Sequence, residues 1–507
     1  MKKIIAITAM AAMVAAAALA DEPVAELGVE LSGDATLTWG VDLDQGDTGF
    51  KNEANAKAVV TFVKEGTKST EGDDVWAEVG VKFDGNLKYK LDGDGSDKFE
   101  KDGGKIALDV AKLHIGDLYI GLKSGDITVG EFKLPNAITA EALKLDNVGG
   151  KESQGLVAGY GTDDFGIAVD FRSLPESQGA TEDVYVYTDG STFYSSDKDT
   201  WDTFKEANPT AVLITTIKGD AGANDYYTNH YGLAAEAELK DSNSFVPGLF
   251  AKAGVSFAFG SEHQFNEGKN LGFGVSAGYK LPVGDTFYLK PAVAFTGSKD
   301  GDADMVSNLG ASVLFGWGDT ADANAGVYYL DNDDAKKVTP GVGVAFLMKD
   351  LSADPKVFEI VPSFYSGDIV PGLKAGVVGD IQMSTAEGAD PVFGVAGGVS
   401  YELAVGDAIK VTPKAGFRFA TENVAGSNYL AVIKHENKDN GNKNDIANAD
   451  TTDDATNKGL LNFKAGVDIS GLIENTTFGA YYQSRNLKAL KDNGKAGTFN
   501  VFVKVSL

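Results

Sequence analysis

Segments of about ten residues with alternating apolar and polar side chains, a short apolar leader behind two lysines, and no later hydrophobic run of helical length predict an all-β chain, built chiefly as a large antiparallel transmembrane β-barrel. The alternation is clearest after residue 230. Leu271, Phe273, Val275, Ala277, Tyr279 and Leu281 share one face, with Gly272, Gly274, Ser276, Gly278 and Lys280 on the other. The same period runs through Leu249–Phe259 (where Phe250 breaks the polar face), Leu309–Trp317, Val342–Met348, Leu373–Met383, Phe393–Leu403, Ile409–Phe419 and Leu461–Ile469. About 9–11 residues is what a tilted strand needs to cross a bilayer. Turn clusters such as Ser298–Asp302 and Asp331–Asp334 separate the segments.

Hydrocarbon requires every backbone N–H and C=O to be paired within the protein, and strands achieve this only when the sheet has no edge. The rival is a soluble sandwich, which also alternates but completes a domain with roughly seven to nine strands. Here about fourteen candidate strands follow residue 230 without a linker, counted at the segment spacing expected of barrels. Tyr279, Trp317, Tyr329 and Tyr401 at strand ends fit an interfacial aromatic girdle.

The N-terminus reads as an export signal over residues 1–20. Lys2 and Lys3 precede the apolar stretch Ile4–Ala17, and Ala18-Leu19-Ala20 places small residues before a cut between Ala20 and Asp21. Residues 21–229 form a β-rich region that either joins the barrel or makes a periplasmic domain. Leu27–Leu43, Val75–Phe83 and Phe165–Phe171 alternate, whereas His114, Asp117 and Asp126 interrupt the stretch 106–132. Residues 230–507 are the barrel region proper. Asn437–Lys458 and Thr188–Asn208 read as polar loops, the second carrying Phe193, Tyr194, Trp201 and Phe204. The final row Phe499, Val501, Val503, Val505 and Leu507 is the expected C-terminal insertion strand, although Leu stands where an aromatic is usual.

Composition narrows the function. The 62 glycines and 13 prolines suit strands joined by Asp/Gly/Asn turns. Without cysteine there is no disulfide framework, thiolate zinc site, thiol nucleophile or lipid-modified cysteine. A net charge of −28 excludes nucleic acid as a partner. Only Arg172, Arg418 and Arg485 supply guanidinium groups. His114, His230, His263 and His435 form no zinc-protease pair and read as solvated loop residues, and no G-x-S-x-G elbow occurs. Asp92–Asp97 resembles the opening of a calcium loop but has Asp97 at the glycine position and Gly103 where the bidentate Glu belongs. No catalytic residue, cofactor or metal is expected, and the chain is not read as an enzyme. The acidic excess predicts a mild cation preference for any pore whose mouth it lines.

Particular stretches also resemble a known family. Gly33-Asp34-Ala35-Thr36-Leu37-Thr38-Trp39-Gly40-Val41-Asp42, followed by Thr48-Gly49-Phe50-Lys51, is similar to the opening of the treponemal major outer sheath proteins and of the related repeat-protein family of the syphilis spirochaete. Val75–Lys82 and Leu113–Gly121 resemble the same N-terminal region. The resemblance implies an abundant, surface-exposed outer-membrane protein that forms pores, assembles as oligomers often described as trimers, and binds host extracellular-matrix proteins and cells. It brings no catalytic residues. The expected function is therefore a porin for passive diffusion of small solutes that also acts as an adhesin. The alternative is a barrel-anchored adhesin or surface-layer protein without an open channel.

Overall fold

The computed structural model describes residues 24–43, 46, 48–64, 75–90, 98–122, 130–138, 141–144, 154–173, 176–177, 184–188, 193–196, 198–217, 224–225, 231–259, 270–299, 304–317, 338–367, 369–406, 408–421, 460–484, 487 and 497–506. Ala20, Asp21, Leu507, Tyr329 and the Asp92–Asp97 motif lie outside these residues.

The first half of the chain contributes β1 (Val24–Asp42), β2 (Thr48–Lys64), β3 (Val75–Lys90), β4 (Lys98–Ile115), β5 (Leu118–Leu122), the hairpin β6 (Glu131–Leu134) and β7 (Glu141–Lys144), then β8 (Gln154–Gly161) and β9 (Phe165–Ser173). A long connection follows. It holds β10 (Glu176–Ser177), β11 (Val184–Thr188), β12 (Phe193–Ser196), the helix α1 (Lys198–Ala207), β13 (Val212–Ile217) and β14 (Asn224–Asp225). The remaining strands are β15 (Tyr231–Leu239), β16 (Leu249–Phe259), β17 (Asn270–Tyr279), β18 (Leu281–Val283), β19 (Phe287–Lys299), β20 (Val306–Trp317), β21 (Gly341–Lys349) and β22 (Val357–Tyr365). They continue as β23 (Leu373–Ser384), β24 (Val392–Tyr401), β25 (Leu403–Val405), β26 (Ile409–Ala420), β27 (Leu460–Ser470), β28 (Thr476–Gln483) and β29 (Thr498–Ser506).

One antiparallel sheet contains 22 of these segments. β18 and β25 continue β17 and β24 after a single-residue break, which leaves twenty staves among the described residues. Each stave pairs with its neighbour in the chain, and β5 passes over the hairpin to β8 just as β9 passes over the long connection to β15. The pairing is circular, because β29 lies along β1 from Asp34↔Ser506 to Asp42↔Thr498. Moving from each residue to its opposite number once around returns to β1 about 24 residues further along, a tilt of roughly 40° over twenty staves and ordinary for a barrel. The all-β barrel expected from alternation is the fold found. The strands before residue 174 pair in the same sheet as those after residue 230.

Burial follows residue parity. On β17, Leu271 and Val275 are exposed while Gly272, Gly274 and Ser276 are buried, and on β20 Val313 and Phe315 are exposed beside buried Ser312 and Leu314. The exposed rows are apolar around the barrel, from Leu37 and Trp39 through Val169, Val255 and Val344 to Phe417 and Val501. A water-soluble surface would not present so continuous an apolar band. Outward aromatics pair at both ends of the staves. Phe171/Tyr231, Phe393/Phe419 and Phe463/Tyr482 mark one end, and Phe287/Phe315 and Phe315/Trp317 mark the other. Such double girdles belong at lipid–water interfaces.

The three longest connections, 123–153, 174–230 and 421–459, all leave one end, here called the loop end. The turn end carries 65–74, 116–117, 162–164, 240–248, 284–286, 366–372, 406–408 and 471–475, together with one much longer connection, 318–340. Transmembrane barrels keep their short turns on the periplasmic side.

The connection read from sequence as a polar loop is partly folded. Ten residues form α1, and Tyr187, Trp201 and Ala211 are buried with Tyr185, Tyr194 and Phe204 packed against them. β12, β11 and β13 form its sheet. The loop reading failed because the few aromatics were outweighed by polar neighbours, yet Trp201 and Phe204 stand three apart, the spacing that puts them on one helix face.

Candidate functional site

The lumen is built by the inward-facing half of each stave, and the hairpin of β6 and β7 lies against it. Polar and apolar residues alternate along β6, so Phe132 and Leu134 point one way and Glu131 and Lys133 the other. Phe132 and Leu134 are completely buried, within a cluster that includes Leu143, Ala234, Ala292, Ala294 and Leu347. Their seat is made by inward glycines. A Cβ on Gly274 would overlap the Phe132 ring, and one on Gly310 would overlap Leu134. Glycine at these two wall positions allows the close approach.

Polar contacts hold the rest of the segment. Glu236 accepts from the Gly130 N–H at 3.2 Å and from Lys252 Nζ at 2.7 Å. Lys252 also lies 5.7 Å from the centre of the Phe132 ring. At the far end Asn136 Nδ2 donates to the Val361 carbonyl at 3.0 Å, where the β22–β23 register skips Val361 and Pro362. The Ala137 N–H donates to Ser363 Oγ at 3.0 Å, and the Thr339 N–H to the Ala137 carbonyl at 2.7 Å.

Two cavities separate hairpin and wall. One of about 530 Å³ is lined by Lys133, Asn136, Glu238, Phe250, Tyr288 and Lys290. Another of about 300 Å³ is lined by Tyr119, Glu131, Tyr160, Glu236 and Lys252. Phe250, the residue that broke the polar face in sequence, packs against the hairpin cluster and has the Lys290 ammonium 4.7 Å from its ring centre. At the turn end Lys290 Nζ meets Asp241 Oδ2 at 2.8 Å. Burial works to raise the Asp241 carboxyl, but the hydrogen bond and charge of Lys290, helped by Lys280, hold it below its ordinary value.

His114 corrects an expectation. It is a wall residue of β4, stacked on Trp76 at 3.7 Å between ring centres, and not a loop residue. The other histidines lie outside the described residues. Among the described residues no group of three His, Cys, Asp or Glu is placed to hold a metal ion. Of the expected insertion row, Phe499, Val501 and Val505 face outward and are exposed, and Val503 shares their face in half-buried form. Sequence reasoning missed the hairpin, the Glu236–Lys252 tether and the glycine seat. A run of small inward residues on neighbouring strands was their only signal.

No protein-family model matches the chain. It is 27% identical to major surface protein MspTL of Treponema lecithinolyticum, with 99% of this chain and 96% of that protein covered. To major outer membrane protein MspA of Treponema maltophilum it is 26% identical, with 100% of both covered. Among solved structures it aligns with OccK5 of Pseudomonas aeruginosa at 11% identity and TM-score 0.34, over 94% of this chain and 98% of the other. That geometric likeness is too slight to map strands, so the architecture rests on the chain's own pairing and apolar outer face. The two treponemal relatives match the resemblance carried by the N-terminal motifs. Over its full length the chain is thus similar to treponemal major surface and outer-membrane proteins, and it is an outer-membrane protein built as a large β-barrel.

Proposed function

We propose that the chain is a diffusion pore for small solutes, narrowed by its inner hairpin, that also presents its loop end to host matrix proteins. The supporting observation is the width of the barrel. Twenty staves enclose more space than their inward side chains can fill, and among the described residues the hairpin is seated against one side. The inner half of the wall is polar in character, with Ser256, Ser276, Ser312, Asn462 and Asn500 turned inward. In this reading residues 21–229 belong to the same barrel, the leader is removed between Ala20 and Asp21, and the outward row of β29 serves insertion. Assembly as a homo-oligomer, a trimer by family resemblance, is part of the proposal, and no chemical step is assigned. The test is single-channel conductance of detergent-purified mature protein in planar bilayers, with circular dichroism on the same sample. Discrete, ohmic steps are expected. β-rich protein that inserts without conducting would sink the pore reading.

One observation favours a second reading, an anchored adhesin without an open channel. The 184–217 module has its own aromatic core of Tyr187, Trp201 and Phe204, so a display element is present whatever the lumen does.

A further inference from the structure

Away from the hairpin's seat, one stretch of wall concentrates cationic side chains. Inward positions of β26 hold Lys410, Lys414 and Arg418, four residues apart, and the register sets Lys464 of β27 opposite Gly416, between Lys414 and Arg418. Eight residues of strand span about 26 Å, which at a tilt of roughly 40° rises about 20 Å along the axis, most of the height of an apolar barrel band. Among the described residues of these two strands, Asp468 is the one acidic side chain facing the same way.

These cations are positioned. Lys414 Nζ lies 2.5 Å from Asp468 Oδ2, and Arg418 Nε donates to Oδ1 of fully buried Asn462 at 3.1 Å. The Lys464 ammonium sits 4.0 Å from the centre of the Tyr481 ring. Lys410, at the turn end, pairs with Glu402 at 2.9 Å. Half the circumference away, β9 and β15 turn Asp170, Glu236 and Glu238 inward. Of these Asp170 is buried and Glu236 is already paired with Lys252 beneath the hairpin, which leaves Glu238 as the acidic group facing the cationic wall, and low-dielectric walls focus such fields.

We propose that Lys410, Lys414, Lys464 and Arg418 form a track along which small anions, carboxylates and phosphates, cross the barrel, so that the pore prefers anions although the chain carries −28. Lys464 divides the interval between Lys414 and Arg418 into steps of about 7 Å. A carboxylate can touch the next cation before leaving the last, which gives the weak multi-site binding that conduction needs. The acidic excess of the whole chain does not set this local field, because charges more than about 10 Å away are screened in physiological salt.

The inference rests on the pore reading, and one experiment separates their failures. Reversal potentials are measured under a KCl gradient for the full mature chain, for Lys464→Gln and for the Arg418→Gln/Lys464→Gln double variant. Inorganic phosphate is then titrated against the current. The native pore should be anion-selective, with a saturable block by millimolar phosphate. The double variant should shift several-fold toward cations and lose the block, and Lys464→Gln alone should shift partway, which keeps the test alive if the double variant does not fold. Conducting variants with native selectivity, or a cation-selective native pore, would overturn the track. A native protein without conductance would instead remove the pore reading beneath it.

Discussion

Alanine at Gly274 asks how firmly the inner hairpin is held. The added Cβ would overlap the ring of Phe132, which is completely buried and cannot retreat without leaving its pocket. Overpacking of this kind costs about 1–3 kcal/mol. Fully burying a phenylalanine is worth about 1.5–3 kcal/mol, so the clash is comparable to what docking of that side chain gains. At about 2 kcal/mol the docked-to-released ratio falls roughly 30-fold. Because the chain has no cysteine, a thiol at Ala137, which is buried in the docked segment, is a unique reporter. Gly274→Ala should speed labelling of Ala137→Cys by a small thiol reagent and raise single-channel conductance. Phe132→Ala should do the same, and in that background Gly274→Ala should add nothing, since neighbours sharing one contact are not additive. Labelling and conductance equal to those of the parent would refute the glycine seat.

Three further outcomes follow from the same geometry. Val275→Lys and Val313→Lys place charge on the outer face and should cost insertion about 2–4 kcal/mol near midplane, read as folding into vesicles, whereas Ser276→Lys on the inner face should cost much less; equal losses at Val275 and Ser276 would contradict the assigned faces. The Asp241 carboxyl is held below its ordinary value by Lys290, so its contribution is present at neutral pH and is lost as pH falls below about 4; Asp241→Asn should flatten the acid limb of the melting-temperature profile in detergent. Trp201→Ala removes the centre of the module's aromatic core at about 3–5 kcal/mol and should abolish binding to immobilised matrix protein with conductance unchanged, while retained binding would place the adhesive surface elsewhere.

The outer face was legible in the sequence because lipid imposes one demand on every stave. Val275, Val313 and Phe417 must be apolar and their neighbours need not be, so period two survives wherever the wall meets hydrocarbon. The lumen follows no such rule. Phe250 spoiled the pattern because it packs on the hairpin, and Glu131–Leu134 alternates like any wall strand, so nothing in those four residues says that they lie inside the barrel. Asn136 donates to the Val361 carbonyl and its Oδ1 accepts from Ser363 Oγ, more than 220 positions away, a juxtaposition visible only once the register is known. Net charge is silent about the lumen for a related reason. A total of −28 says nothing of Lys414, Lys464 and Arg418 sharing one wall.

The long connection between β9 and β15 has a consequence for how this protein can change. The barrel register there is already fixed by the direct ladder from Ser173↔Tyr231 to Phe165↔Leu239, and the base of the connection is cinched by Glu176↔Asp225 and Ser177↔Asn224. Whatever lies between Ser177 and Asn224 is thus a cassette on a two-strand clasp. Lengthening, shortening or replacing it leaves the stagger of the staves untouched, and the entropy of closing a longer loop grows only slowly with its length. The exposed face of this protein can therefore be rewritten by exchanging that one segment, while the membrane-spanning part keeps its geometry.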